Sequence, residues 1–180
     1  MDTDLTRWIN SLAGTHAALD AGMIAITQFG VPLIVALVAL QWWSGPDRAH
    51  VRHTAVSAGL AVLLGLAVNQ IILLFVHRPR PYDLGVTQLL IARSADWSFP
   101  SDHATVVAAV VAAFGIQRFH GRTSALGVLA LLVCFSRVYV GTHYVSDVLG
   151  GAAVGIMAAH VVRWVHRPGT AVDRFLVGIL

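Results

Sequence analysis

Apolar runs that approach the length of a bilayer-spanning helix recur along the chain, and they restrict its fold more than any other feature. A transmembrane helix needs about 20 mainly apolar residues. The apolar runs cover residues 23–43, 54–75, 103–116, 124–139 and 147–165, and the third is the shortest. The pattern predicts an all-α fold, a polytopic membrane helix bundle of about five transmembrane helices over residues 23–165.

Composition supports a membrane protein and excludes several other classes. The mean hydropathy is +0.73 and 12% of the residues are charged, about half of the roughly 25% found in soluble domains. Every basic residue is arginine and every acidic residue is aspartate. The net charge of +3 is small and scattered, so we expect no nucleic-acid partner. The single cysteine, Cys134, cannot form an intrachain disulfide and fits an apolar filler role.

The two ends of the chain predict peripheral segments of a single domain, residues 1–180. Residues 5–19 are typical of an amphipathic helix at the membrane interface, within an interfacial segment 1–20. Aspartates stand where a secretory signal would be basic, so we expect insertion through uncleaved spans. Residues 166–180 are predicted to form a cytoplasmic tail.

Arginine placement predicts the orientation of the bundle. With five spans, one side carries the arginines at positions 48, 52, 118, 122, 163, 167 and 174, which makes that side cytoplasmic by the positive-inside rule. Residues 77–102 and 141–146 then face outward together. The outward segments also carry arginines, namely Arg78, Arg80, Arg93 and Arg137, and functional roles would account for them.

Polar residues gather at the predicted outer ends of the spans, in three stretches: 78–82, 99–103 and 136–147. Ionisable groups at membrane depth are costly and are functional candidates. Each also has a plainer explanation. Arg80 and Arg137 could be interfacial anchors, Ser101 a helix N-cap, and His103 a structural histidine at a helix start.

His143 and Asp147 are four residues apart, so a helix or its entry turn can place them on one face. A carboxylate that accepts the N–H of an imidazole fixes its tautomer and strengthens the other nitrogen as a nucleophile. A zinc site formed by His103, His143 and Asp147 is the competing interpretation. The neighbouring arginines would repel a cation, so we expect no metal and no other cofactor.

Taken together, these residue types indicate phosphoryl chemistry. Guanidinium groups match phosphate oxygens in pairs, and a helix N-terminus binds anions. One histidine can attack phosphorus while another protonates the leaving oxygen. Phosphoryl transfer depends mainly on positioning and charge stabilisation.

The same residues carry a family resemblance. Arg80-Pro81, then Pro100-Ser101-x-His103, then Ser136-Arg137-x5-His143-x3-Asp147 resembles the three-part signature of the type 2 phosphatidic acid phosphatase (PAP2) superfamily. Asp102 beside Ser101, the Arg-Pro-Arg-Pro run and the short chain are most similar to the bacitracin-resistance type of undecaprenyl-diphosphatase. That type is a bacterial inner-membrane enzyme which recycles the lipid carrier of cell-wall synthesis.

The resemblance implies a role for each matching residue. His143 would be the nucleophile that forms a phosphohistidine, Asp147 would orient it, and His103 would be the general acid. Phosphate would be bound by Arg80, Ser101 and Arg137, with the backbone N–H of Asp102. The implied substrate is a polyprenyl or other lipid phosphate, hydrolysed at the outer face of the inner membrane without a cofactor.

One position departs from the family pattern. The first motif of the superfamily begins with a lysine seven residues before its arginine, and here that position is Leu73. The sequence leaves open whether Arg78 or another group replaces the lysine as an additional phosphate ligand.

Two other functions remain open at the level of sequence. The same site could act on phosphatidylglycerophosphate, phosphatidate or diacylglycerol pyrophosphate, since the motif binds phosphate and not the lipid tail. A non-catalytic lipid-binding or transport protein is the alternative of another class. It predicts polar residues that line a path along the spans, whereas spans two to five are nearly free of ionisable groups between their ends. The oligomeric state is not predicted.

Overall fold

The computed structural model describes residues 1–178 and contains seven α-helices within that range. They are α1 (Asp2–Asn10), α2 (Ala17–Leu40), α3 (Arg48–Leu73), α4 (Asp102–Ile116), α5 (His120–Tyr139), α6 (Val145–Val165) and α7 (Ala171–Val177). A short 3-10 turn, Gln41–Trp43, extends α2. The all-α membrane bundle is therefore confirmed.

Four helices are long and apolar enough to cross a membrane: α2 with its 3-10 turn, α3, α5 and α6. The fifth predicted span, α4, has only 15 residues, which cover roughly 22 Å at 1.5 Å per residue, less than the hydrocarbon core of about 30 Å. Because α4 packs against α3, α5 and α6, most of its side chains contact protein. A short helix is adequate in that central position.

Glycines allow α4 and α6 to approach closely. A Cβ atom at Gly151 would lie 2.3 Å from the carbonyl oxygen of Ser101, and one at Gly155 would lie 2.3 Å from that of Thr105. A Cβ at Gly150 would meet the ring of Phe99. These contacts fix the N-terminal end of α6 against residues 99–105.

The predicted helix over residues 5–19 is wrong in its extent. The first helix ends at Asn10, and α2 begins at Ala17. Gly14 adopts a φ of +79° in the connecting turn, and its N–H donates to the carboxylate of Asp20. The turn separates the short amphipathic helix α1 from the first span, so Leu19 belongs to α2.

The alternation of helices places the long loop 74–101, the 140–144 turn and α1 at one end of the bundle. Asn10 ties α1 to that end, because its amide donates to the carbonyls of Tyr139 and Gln88 at 2.8 and 2.9 Å. The opposite end holds the connections 41–47 and 117–119. It also holds α7, so the predicted tail includes a helix that packs against α3.

Candidate active site

A cavity of about 130 Å³ opens where α3 ends and α4 begins, and most of the predicted site residues surround it. Its lining consists of Leu73, Arg80, Ser94, Asp96, Pro100, Asp102, His103, Arg137 and His143. The three polar stretches of the sequence therefore meet at one end of the bundle. Of the predicted residues, Ser101 and Asp147 are fully buried and do not line the cavity. The backbone N–H of Ser101 donates to the carbonyl of Asp147 at 3.0 Å.

His143 is held by residues on both sides of its ring. Its Nδ1 atom lies 2.8 Å from the carbonyl oxygen of Ser98 and 3.7 Å from Oδ2 of Asp147. The expected hydrogen bond to Asp147 is thus replaced by one to a backbone carbonyl, with the carboxylate close behind. Both acceptors favour a proton on Nδ1, which leaves the lone pair on Nε2. Nε2 lies 3.4 Å from Nη1 of Arg80.

Asp147 is fully buried and its carboxylate is saturated with donors. Oδ2 accepts from the hydroxyl of Ser98 and, at 2.8 Å, from the backbone N–H of Tyr144. Oδ1 accepts from Nη1 of Arg78 at 2.7 Å. These donors fix the carboxylate in place.

Arg78 lies behind Asp147 and is not among the residues that line the cavity. Its guanidinium donates to Ser146 and Asp147 and forms an ion pair with Asp2 of α1 at 2.7 Å. It also stacks over the ring of Tyr144, 3.9 Å from the centroid. These contacts commit Arg78 to support of Asp147, so its predicted role as an extra phosphate ligand is not favoured.

Arg80 is 4% exposed and anchors the loop to the site. Its Nη1 donates to the carbonyl of Thr142 at 3.0 Å, and its Nε donates to that of Asp96 at 3.0 Å. Its Nη2 forms an ion pair with the Asp96 carboxylate at 2.8 Å. That carboxylate is itself 56% exposed, so an incoming anion can compete with it for the guanidinium.

Two buried polar atoms at the site have no hydrogen-bond partner: Oγ of Ser101 and Nε of Arg137. Ser101 is the N-cap residue of α4, yet its side chain makes no capping bond. Arg137 uses its Nη1 to donate to the hydroxyl of Thr27 at 2.7 Å. Buried donors are nearly always satisfied in proteins, so both atoms are available to a group that accepts hydrogen bonds, such as an anion.

The first turn of α4 completes the wall. The carboxylate of Asp102 accepts from Asn69 of α3 at 2.7 Å, and Asn69 also donates to Thr105 at 2.9 Å. This contact holds the end of α3 against α4, and Leu73 lines the cavity one turn further along. Leu73, which occupies the position of the family lysine, therefore forms an apolar part of the cavity wall.

Electrostatics around His143 favour its neutral form. Burial lowers the pKa of His143, and the nearby guanidiniums of Arg137 and Arg80 lower it further, although the Asp147 carboxylate acts in the opposite direction. A neutral imidazole with a free Nε2 is the form that attacks an electrophile.

The competing zinc site is not formed. Within residues 1–178, the group of histidine and carboxylate atoms that converges closely enough for a metal lies at the other end of the bundle. Here Nε2 of His143 faces a guanidinium, and a cation at that position would be repelled.

Sequence reasoning missed Ser98, Asp96 and Asp2. All three contact predicted site residues from outside the three polar stretches of the sequence. Ser98 acts on His143 through a backbone carbonyl, which no side-chain pattern can reveal. Asp2 and Asp96 form ion pairs with the two arginines of the 78–82 stretch. Those arginines had no assigned carboxylate partner in the sequence, and this was the available signal.

Comparisons with known proteins agree with this site. Residues 54–170 match the PAP2 superfamily. The chain is 34% identical over 161 residues to undecaprenyl-diphosphatase BcrC of Bacillus subtilis, which covers 87% of this chain and 80% of that protein.

Two solved structures share the fold. Aquifex aeolicus LpxE is 23% identical, with a TM-score of 0.73 over 88% of this chain and 92% of that one. A transmembrane PAP2-type phosphatidylglycerolphosphate phosphatase from Bacillus subtilis is 25% identical, with a TM-score of 0.68 over 94% and 86%. The chain belongs to the PAP2 superfamily and is a multi-pass membrane phosphatase.

Proposed function

We propose that the protein hydrolyses undecaprenyl pyrophosphate to undecaprenyl phosphate and inorganic phosphate at the outer face of the cytoplasmic membrane. The observation that carries the proposal is the unpartnered buried donor of Arg137 beside two imidazoles in one small cavity. The equally unpartnered hydroxyl of Ser101 lies between two residues of the cavity wall, Pro100 and Asp102. A terminal phosphate would satisfy both donors and meet the guanidinium of Arg80.

In the first half-reaction, Nε2 of His143 attacks the terminal phosphorus. An N–P bond forms while the bond from phosphorus to the bridging oxygen breaks. His103 gives its proton to that oxygen, and undecaprenyl phosphate leaves. Arg80, Arg137, Ser101 and the backbone N–H of Asp102 stabilise the charge on the transferred group, which is the main requirement of phosphoryl transfer.

In the second half-reaction, the oxygen of a water molecule attacks the phosphohistidine. His103, which is now neutral, takes a proton from that water. The N–P bond breaks, inorganic phosphate leaves, and both histidines return to their starting states. Asp147 and the Ser98 carbonyl keep the proton on Nδ1 throughout, so that Nε2 remains the reacting atom.

The surroundings of the cavity support a lipid substrate. An apolar groove of about 620 Å³ runs along α4, α5 and α6, with Val111, Leu131 and Ile156 in its walls. A polyprenyl chain could lie along this surface while its headgroup enters the cavity. The arginines at the opposite end of the bundle support an outward-facing site.

The second candidate substrate is phosphatidylglycerophosphate. The fold likeness to a phosphatase named for that lipid supports this candidate, and the phosphate-binding residues do not distinguish the two headgroups. Transport or passive lipid binding has less support, because the spans carry few ionisable residues between their ends that could line a path.

A substrate panel tests the proposal. Purified protein in detergent would be assayed for phosphate release from undecaprenyl pyrophosphate, phosphatidylglycerophosphate, phosphatidate and diacylglycerol pyrophosphate, each at the same surface concentration. We expect the highest kcat/KM for the polyprenyl pyrophosphate. A clear preference for phosphatidylglycerophosphate would transfer the proposal to that lipid.

A further inference from the structure

A second buried polar cluster lies at the end of the bundle opposite the cavity. It is called the distal cluster here and consists of His53 and Ser57 of α3, His166 at the end of α6, and Asp173 of α7. His53 and Leu73 are separated along α3 by roughly 30 Å at 1.5 Å per residue. The distal cluster therefore takes no direct part in the phosphatase site.

Three atoms of the distal cluster face one another. Nδ1 of His53 lies 2.7 Å from Oδ1 of Asp173, and Nε2 of His166 lies 3.4 Å from the same oxygen. One ligand atom from each of the three residues falls within 4.8 Å of the others. The two imidazoles stack, with centroids 4.6 Å apart and planes inclined by 13°, so both rings present an edge to Asp173.

One of these atoms has no hydrogen-bond partner. His166 is only 8% exposed, yet its Nε2 is buried without a hydrogen bond. The nearest carboxylate oxygen is that of Asp173, at 3.4 Å. An imidazole nitrogen that is buried and unsatisfied, beside a carboxylate and a second histidine, is suited to a metal ion.

The distances suit a tetrahedral ion after a small adjustment. Bonds of about 2.0–2.1 Å in tetrahedral geometry place neighbouring ligand atoms about 3.3–3.4 Å apart. The His166–Asp173 distance already has this value, and the His53–Asp173 distance must lengthen from 2.7 Å. The two imidazole nitrogens lie within 4.8 Å of each other, and the rings are stacked. Binding therefore also requires the rings to turn until the plane of each contains the ion.

The remaining ring nitrogens have a suitable outer partner. Oγ of Ser57 lies 3.0 Å from Nδ1 of His166 and 3.5 Å from Nε2 of His53. When the opposite nitrogens bind a metal, both of these carry protons and donate to the Ser57 oxygen. Such partners orient metal-binding histidines in known sites.

We propose that the distal cluster binds a divalent transition-metal ion through His53 Nδ1, His166 Nε2 and Asp173 Oδ1, with Zn²⁺ as the best match. Two imidazoles and one carboxylate favour Zn²⁺ over Mg²⁺ or Ca²⁺, which prefer oxygen ligands. The ion joins α3, the end of α6 and α7, and so it holds the C-terminal helix on the bundle. Solvent supplies the fourth ligand.

Metal retention tests this proposal. Full-length protein in detergent would be loaded with Zn²⁺, passed through a desalting column and analysed for bound metal and thermal unfolding. We expect one ion per chain and an increase in unfolding temperature on loading. Asp173→Asn and His166→Gln should lose both effects, and Ser57→Ala should bind about tenfold more weakly or worse.

Two controls locate the ion. His160→Gln changes an exposed histidine of α6 whose Nδ1 contacts only its own helix, at Ile156, and should retain the metal. His143→Ala removes an imidazole of the phosphatase site at the other end, and this variant should also retain the metal. Phosphatase activity of the Asp173→Asn and Ser57→Ala proteins serves as the check that they are folded.

The proposal fails if wild-type protein retains no Zn²⁺, because the cluster is then held by hydrogen bonds alone. It fails equally if the ion is lost from His143→Ala but kept by Asp173→Asn and His166→Gln. If a ligand variant does not fold, Ser57→Ala still tests the site, because it keeps all three ligands. Zn²⁺ affinity equal to that of the wild type would then contradict the proposal.

Discussion

Nε2 of His143 lies 3.4 Å from Nη1 of Arg80, inside a cavity that both residues line. The nitrogen that carries the lone pair and the guanidinium that would hold a phosphate oxygen thus face the same space. A terminal phosphate placed there meets the nucleophile and its charge-stabilising group together.

Replacement of Arg80 by lysine should impair catalysis even though the positive charge is kept. Arg80→Lys keeps the charge but loses the planar pair of donors, and we expect kcat/KM to fall by about 10²–10³, as for the loss of a transition-state donor. The control is Arg93→Lys, at an exposed arginine of the same loop that pairs with Asp83. Similar kinetics for the two variants would contradict the role given to Arg80.

The acid limb of the pH–activity profile should lie below the ordinary pKa of histidine. The reactive form of His143 is neutral, and its pKa is lowered by burial and by Arg137 and Arg80. Activity is therefore retained as the pH falls through about 6.5, the ordinary value for histidine, and is lost only below it. Because His103 must be protonated, activity should also fall on the alkaline side. An acid limb centred above pH 6.5 in kcat/KM would oppose this account.

Leu73→Lys should strengthen phosphate binding. Leu73 lines the cavity, and an ammonium group there would add a charge-assisted hydrogen bond, partly offset by repulsion from the two arginines. We expect vanadate and phosphate to inhibit roughly fivefold more strongly, equivalent to about 1 kcal/mol. Leu74→Lys, at an exposed neighbour, should leave the inhibition constants unchanged. Equal effects at both positions would point to surface charge alone.

Close packing of α4 and α6 should make Gly151 intolerant of a side chain. The Cβ atom of Gly151→Ala would lie 2.3 Å from the carbonyl oxygen of Ser101, which forces the helices apart at a site residue. Overpacking of this kind costs about 1–3 kcal/mol, and activity should fall with stability. Thermal unfolding in detergent measures the effect. Gly59→Ala, whose Cβ meets nothing within 4 Å, should be at least as stable as the wild type.

The sequence predicted the parts of the site that depend on residue type and spacing. Apolar runs separated by polar stretches were enough to bring His103, Arg137 and His143 to one cavity, because helices of bilayer length alternate between two ends. The partner of His143 Nδ1 could not be predicted in this way. It is a backbone carbonyl, at Ser98, in a loop whose path depends on tertiary contacts.

The ends of the chain were the least predictable part of the fold. Amphipathic periodicity continues across residues 11–16, but Gly14 and its bond to Asp20 interrupt the helix. The C-terminal segment carries a helix that is short and weakly patterned, and its position depends on the contact of Asp173 with His53. Isolated residues far apart in sequence gave no signal of that contact.

The central claim is that His143 becomes phosphorylated during turnover. Protein would be mixed with undecaprenyl pyrophosphate labelled in the terminal phosphate, quenched rapidly in alkali, and analysed for acid-labile phosphate by peptide mapping. The account predicts label on the peptide that contains His143, and none in His143→Ala, which should release no phosphate. Label on a different residue, or phosphate release by His143→Ala at the wild-type rate, would contradict it.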